Sequence, residues 1–535
     1  MNALRRAILH PFLMAVYPVL ALLAFNLGEM YPWNAFRSLV VSLLGAGFFF
    51  LVLCLLLRNP YKAGILLTFF LLLFYSYGHV YTFIEDRTVF GINVGRHRVL
   101  LLIWFGFFCM GSWWVVRKKG DLYGINQSLN IVTMVVMVFP IFQIISFEVR
   151  PSMAALGANP TAGAEVIHLP EAHPNGERNS PDIYYIILDG YTRGDTLEKY
   201  FNYDNTPFLD KLTGMGFYVA TCSQSNYSLT QLSLTSSLNL NYLDQLVPDF
   251  MALKNGPEIE HSLILNNEVI QALKRSGYKI VVLESGYPPT ELRKADLFLS
   301  YNSGAGKFAF FREVNSFETL LLRTTLGLLL YEAQPRLPAA LQILLDSTFA
   351  DHRDRILYSL DELPKIPDIP GPKFVFTHLL LPHKPFLFGP TGQILEQKAP
   401  FTLTEETITD DREEYANGYR WQVEYLNKRL ETILEGIIRN SEVPPIIIIQ
   451  GDHGPSPNKS SPRARMTILN AYHLPGGGEK GLYPSISPVN SFRVVFDYYF
   501  GSQLGLLDDL SYYYDFRKNT IERIPNESVD CERSG

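Results

Sequence analysis

Residues 444–457 read PPIIIIQGDHGPSP, four isoleucines running into a turn that carries Asp452 beside His453. A β-branched run bounded by Pro and Gly is the composition of a strand buried on both faces. In open α/β sheets, ligands bind just beyond the carboxyl ends of the strands. Asp452 and His453 fall at such an end and offer one oxygen and one nitrogen to a metal. The plainer alternative is an Asp that caps the turn beside an incidental His. Three other stretches repeat the arrangement. IYYIILD (183–189) ends at Asp189 before Gly190, a pair that is also a common turn signal. KFVFTHLL (373–380) leads into THLLLPHKPF, which places His378 and His383 at another strand end beside Pro382 and Pro385. SQSNYSLTQLSLTSSLNL (223–240) crowds hydroxyls into a loop and takes on helical spacing near Thr230. A Thr that opens a helix either caps it or stands where free N–H groups and the dipole favour an anion.

Together these residues describe one chemistry. Asp189, Asp452, His453 and the oxygen of Thr230 form a donor set for a hard or borderline divalent cation. Threonine is a poor nucleophile at its free pKa, and metal coordination is one of the few ways to activate it. The same charge would neutralise a phosphoryl group as Thr230 attacks in line. His383 is then the candidate to donate a proton to the leaving oxygen.

The elements that must position these groups lie in the second part of the chain. Strand-like runs at 183–189, 216–221, 278–285, 373–380 and 444–452 alternate with helical stretches, such as EEYANGYRWQVEYLNKRLETILEGIIRN at 413–440. That alternation predicts a mainly parallel α/β sheet with helices on both faces. The expected domain covers residues 181–515, after a Pro/Gly/Asn-rich linker at 151–180 and before a tail at 516–535. The stretch FETLLLRTTLGLLL (317–330) is too short to span a bilayer, and reads as a core or lid helix or as one lying on a membrane surface.

Residues 1–150 form the other part. Five apolar segments, at 9–25, 39–57, 64–83, 100–116 and 129–147, predict an all-α transmembrane bundle. Arg5 and Arg6 precede the first segment in the manner of a signal peptide, but no small-residue cleavage site follows, so it reads as an anchor. Arg5, Arg6, Arg58, Lys62, Arg117, Lys118 and Lys119 fall on one side of the bundle, which puts that side in the cytoplasm and the domain after residue 147 outside it. The expected location is therefore the inner or plasma membrane. The segments carry almost no ionisable groups, which speaks against an ion path or a transporter. A net charge of -6 with no Lys/Arg block makes nucleic acid an unsuitable partner. Cys54 and Cys109 lie in apolar runs, leaving one bridge, Cys222–Cys531, open to formation.

The order strand–Asp189, helix-opening Thr230 and late strand–Asp452–His453–Gly454 resembles the alkaline phosphatase superfamily over residues 181–500. NTPFLDKLTGMGFYV (205–219) and SPVNSFRVVFDYYFG (487–501) are further family-like phrases. Five spans before an outward domain of this kind resemble the lipoteichoic acid synthases and the phosphoethanolamine transferases. The resemblance implies an alkaline-phosphatase-like sheet, with Asp189, Asp452 and His453 as metal ligands and Thr230 as both ligand and nucleophile. Ser228 and Ser225 remain alternatives for the nucleophile. His383, in PHKPF, matches a substrate-binding histidine of both transferase groups, whereas His378 has no secure counterpart. The Cys/Ser-x-Pro-x-Arg signature of the sulfatases is absent, since Cys222-Ser-Gln-Ser-Asn226 differs at its third and fifth residues. After the Asp–His pair, residues 455–476 supply only His473, whose apolar setting suggests a packed ring. One metal is therefore expected, and Mn or Zn suits two carboxylates, an imidazole and an alkoxide.

The expected activity is a metal-dependent transfer of a phosphoglycerol- or phosphoethanolamine-type head group from phospholipid to an envelope acceptor, through a threonine intermediate. Phospholipid or envelope glycan would be the substrate. The same site could serve a sulfatase-like phosphodiesterase or phosphatase, which differs only in its acceptor. A non-catalytic binding protein is the reading from another class, and the intact set of candidate residues speaks against it.

Overall fold

The computed structural model describes residues 7–157 except 28–29, 86, 90–91, 94–95 and 121. It also describes 167, 169 and 180–526, except 248–249, 251–262, 302–313, 398–400, 402–411, 457–461, 516–517 and 519. Arg5, Arg6, most of the expected linker, most of the expected tail and Cys531 lie outside the described residues. Cys222 is disulfide-bonded, while Cys54 and Cys109 are free. The chain forms two compact units, residues 1–153 with 308–349 and 398–402, and residues 154–307 with 350–397 and 403–535.

The first unit is built on five helices, α1 (His10–Phe25), α2 (Phe36–Leu57), α3 (Pro60–Ile84), α4 (His97–Arg117) and α5 (Tyr123–Gly157). Counting the turn before α2, four of them are long and apolar enough to cross a membrane, and α1 is a shorter apolar helix. Their outer faces are lined with exposed Leu, Phe, Val and Trp, and only Ser38 and Ala46 of α2 are buried. Such faces suit lipid, and helices satisfy every backbone group internally, as a bilayer requires. The stretch expected as a core or lid of the outer domain packs in this unit. Helix Ser316–Thr324 opens with a capping box between Asn315 and Glu318, and Glu318 also pairs with Arg37. Phe317 is fully buried against Val19, Leu23 and Leu27. The reason lies in α3, where Gly78 lets the chain approach so closely that any side chain would strike the Arg323 carbonyl.

The second unit carries a seven-stranded sheet of β1 (Ile183–Leu188), β2 (Tyr218–Val219), β3 (Lys279–Leu283), β4 (Leu297–Leu299), β5 (Lys373–Leu379), β6 (Ile446–Gly451) and β7 (Asn470–His473). Their order across the sheet is β2-β7-β6-β1-β5-β3-β4. Strands β6, β1, β5, β3 and β4 are parallel, and β7 and β2 close one edge antiparallel. Every residue of β1 is fully buried, as the unbroken apolar run requires of a central strand. Ile183, Tyr185 and Ile187 share one core with Leu234 and Leu238 of α6 (Thr230–Leu238) and with Phe492 and Phe496 of the helix Pro488–Phe500. The long helix α7 (Arg412–Asn440) meets the chain just past β1, where Tyr419 donates to the Gly190 carbonyl and Asn427 accepts from Tyr191.

Register decides what this sheet can hold. Leu188 pairs with Leu379 on one side and Gly451 on the other. Asp189, His378 and Asp452 therefore stand at the carboxyl ends of three adjacent parallel strands.

Candidate active site

Asp189 follows β1 directly, and the positive φ of Gly190 (74°) turns the chain away at once. That turn presents the Gly190 N–H to Asp452 Oδ1 at 2.9 Å, and the His453 N–H meets the same oxygen at 2.9 Å. One oxygen of Asp452 is thus fixed by the backbone, and Oδ2 is left buried with no hydrogen-bond partner. Asp189 Oδ1 and His378 Nε2 share that condition. Donor atoms of Asp189, His378 and Asp452 lie within 4.8 Å of one another. His453 Nε2 adds to the cluster, 3.3 Å from Asp452 Oδ2 and 3.7 Å from Asp189 Oδ1. Buried polar atoms without partners are rare because each costs free energy. Several of them converging with two carboxylates is the donor set of a divalent cation, so the residues present fit such an ion.

Thr230 is the first residue of α6, after Leu229 at the N-cap, and is half-buried. Its hydroxyl lies 3.1 Å from His453 Nε2. The first-turn N–H groups of a helix have no intrahelical acceptor, which suits an anion beside this hydroxyl. The two alternative hydroxyls are engaged elsewhere. Ser225 Oγ lies 2.6 Å from the Tyr227 carbonyl and 2.5 Å from the Asp452 carbonyl, and Ser228 Oγ accepts from the Tyr514 N–H at 2.9 Å. Both residues are buried.

His453 has its orientation set from behind. Its Nδ1 lies 3.0 Å from the Gly454 carbonyl, which places the ring proton there and leaves Nε2 a lone pair. The buried Arg465 reaches the same nitrogen at 3.1 Å, and also donates to the carbonyls of Ser228 (2.9 Å) and Gly454 (3.1 Å). One guanidinium therefore ties the loop before Thr230 to the Asp452–His453 turn. Nothing local in PRARM (462–466) signals this contact, which exists only once the two loops meet. Arg465→Leu is expected to lower turnover by roughly 10- to 100-fold, the usual cost of losing a group that orients a ligand. Steady-state kinetics with a thermal melt of the same preparation checks it; unchanged kinetics in a folded variant would reduce Arg465 to packing.

His383 is half-buried, and its ring centroid is 6.5 Å from that of His453. Its backbone N–H donates to the Asp189 carbonyl at 3.0 Å, which sets the start of its loop against the end of β1. Burial works against an ionised Asp189, but the nearness of His383, then of His378 and His453, outweighs it and holds the carboxyl below the usual aspartate range. His352 is a neighbour that sequence reasoning missed. Burial, then the Arg355 charge and the His383 charge, lower its pKa to about 3 and keep it neutral. His473 stands apart on β7, with Nδ1 2.7 Å from the Pro445 carbonyl and its ring on Phe217. The structure therefore brings Asp189, Thr230, Asp452 and His453 together, with His383 alongside. It adds His378, which the sequence placed at a strand end without a secure counterpart in the resembled families.

No family model matches this chain, and no curated protein matches it in sequence. Among solved structures it is similar to the C-terminal periplasmic domain of EptC from Escherichia coli in complex with Zn (13% identity, 67% of this chain and 96% of that chain, TM-score 0.41). It is also similar to the integral membrane lipooligosaccharide phosphoethanolamine transferase A from Neisseria meningitidis (12% identity, 91% and 94%, TM-score 0.39). A third is the phosphonate monoester hydrolase of Agrobacterium radiobacter (12% identity, 63% and 82%, TM-score 0.37).

Proposed function

We propose that this chain is a membrane-anchored, metal-dependent transferase of the alkaline phosphatase superfamily, with its catalytic unit outside the cytoplasm. It moves a phosphoryl-containing head group, of the phosphoglycerol or phosphoethanolamine type, from a phospholipid to an envelope acceptor. The observation that carries this reading is the Thr230 hydroxyl at the start of α6, 3.1 Å from His453 Nε2 and beside the buried Asp189–Asp452 pair.

Asp189, Asp452, His453 and Thr230 would hold one divalent ion, Zn or Mn. When bound, that ion would favour the alkoxide of Thr230 and offset the negative charge of the phosphoryl group. The remaining steps belong to the chain. The first turn of α6 receives the phosphoryl oxygens on its N–H groups. Thr230 Oγ1 attacks phosphorus, the bond to the lipid oxygen breaks, and His383 supplies a proton to that oxygen. The acceptor hydroxyl then attacks phosphorus and gives its proton to His383, the bond from phosphorus to Thr230 Oγ1 breaks, and both residues are restored. Arg465, through the carbonyls of Ser228 and Gly454, keeps the Thr230 loop and the Asp452–His453 turn in register.

The test is intact mass of the purified protein after incubation with phospholipid vesicles and divalent metal, with Thr230→Ala alongside. An adduct on the wild type alone, equal in mass to the head-group phosphoryl unit, is the expected result. Steady head-group release with no adduct and no labelled acceptor would replace the transferase with the hydrolase. Neither adduct nor release from any phospholipid would sink both.

A further inference from the structure

We infer that His378 is a metal ligand too, so that the cation is held by two imidazoles, His378 and His453. This rests on the metal-dependent reading above and extends it by one residue. His378 is 2% exposed and sits next to last in β5, paired in register with Ile187. Its two ring nitrogens face different surroundings. Nδ1 lies 2.9 Å from Thr290 Oγ1, and that hydroxyl donates in turn to the Tyr287 carbonyl at 3.2 Å. With the single Thr290 proton given to that carbonyl, Thr290 accepts from Nδ1–H and Nε2 keeps its lone pair. Nε2 is buried without a hydrogen-bond partner and points at Asp189 Oδ2, 3.5 Å away.

In that tautomer two acceptors face each other in a buried site. A shared proton would answer that at about 2.7–3.2 Å, but 3.5 Å is too long for a good hydrogen bond. A cation between them answers it at this separation, because donors about 2.0–2.2 Å from a Zn ion stand roughly 3–4 Å apart. The third atom needed is present, since a donor of Asp452 lies within 4.8 Å of both.

The supporting residues match the role. Ligating imidazoles donate their other N–H to a fixed acceptor, which sets tautomer and orientation. Thr290 is that acceptor, is 1% exposed, and is held by Ser285 at 3.1 Å. The Tyr287 ring stands edge-on to His378, and its hydroxyl accepts from Gln231, the residue after Thr230, at 3.0 Å. The loop 285–290 therefore connects a second imidazole to the start of α6. This loop carries no metal-site motif, and its role follows only from the pairing of β3 with β5.

The experiment uses the full chain in detergent, stripped of metal, reloaded with excess Zn and desalted, with its bound Zn counted. X-ray absorption at the Zn edge is expected to count two imidazoles in the wild type and one in His378→Gln. Competition with a chromophoric chelator should show Zn affinity falling about 100-fold in His378→Gln and about 10-fold in Thr290→Val. One imidazole in the wild type would overturn the inference and leave the metal reading intact. So would two Zn ions per chain with one imidazole each, because His378 would then serve a separate ion. A folded wild type that holds no Zn or Mn would remove the metal reading itself. Since the wild-type count needs no variant, a misfolded His378→Gln does not blunt the test.

Discussion

Thr230→Ala is expected to lower turnover by about 10⁴-fold or more while the divalent metal stays largely bound. The size follows from loss of a covalent nucleophile, which leaves only the binding and electrostatic parts of catalysis. The selectivity follows from the geometry. Asp452 keeps the Gly190 and His453 amides and His453 keeps the Gly454 carbonyl, none of which involves Thr230. The helix is not at risk, since Leu229 is the N-cap and alanine is favoured inside a helix. Head-group release and metal content measured on one preparation decide the matter. A Thr230→Ala protein with wild-type turnover would end the nucleophile assignment and turn attention to Ser228.

Asp452→Asn should lose metal and activity together. The substitution keeps an oxygen for the two amides at Oδ1, so the turn can form. It replaces Oδ2 with an amide group that can donate, next to His453 Nε2 at 3.3 Å. The site then has one carboxylate in place of two, and a donor where a lone pair is needed. Metal affinity should fall by at least about 100-fold, the upper end for groups one layer further out. The metal-dependent part of the thermal stability should vanish with it, since an ion that binds only the folded state stabilises in proportion to its occupancy. Elemental analysis and melting curves with and without added Zn or Mn read both effects. Retained metal with lost activity would make Asp452 a catalytic group and not a ligand.

The central strands were legible because buried parallel strands need continuous apolar runs, and IYYIIL and IIII supply them. Their carboxyl ends therefore brought Asp189, Asp452 and His453 into view. The edges were less legible. The expected strand at 216–221 is only Tyr218–Val219, and Leu297–Leu299 and Asn470–His473 are strands too short to leave a pattern. Each is set by its neighbour, not by its own composition. The supporting residues were hidden for a related reason. Thr290 and Tyr287 meet His378, and Arg465 meets Ser228, across loops far apart in sequence, and no local spacing records such contacts. His378 itself was visible at its strand end, but its tautomer depends on Thr290, 88 residues away.

The capped helix Ser316–Thr324 has a consequence for how the protein is made. Arg37 and its partner Glu318 are 281 residues apart, and Phe317 fills a space among side chains of α1. At typical synthesis rates of about 5–20 residues per second, that interval takes tens of seconds. During it the newly inserted helices have a gap in their packing, and the glutamate that Arg37 will meet is still to be made. The bundle is begun first and finished late, since its last packing partner comes from residues 316–324.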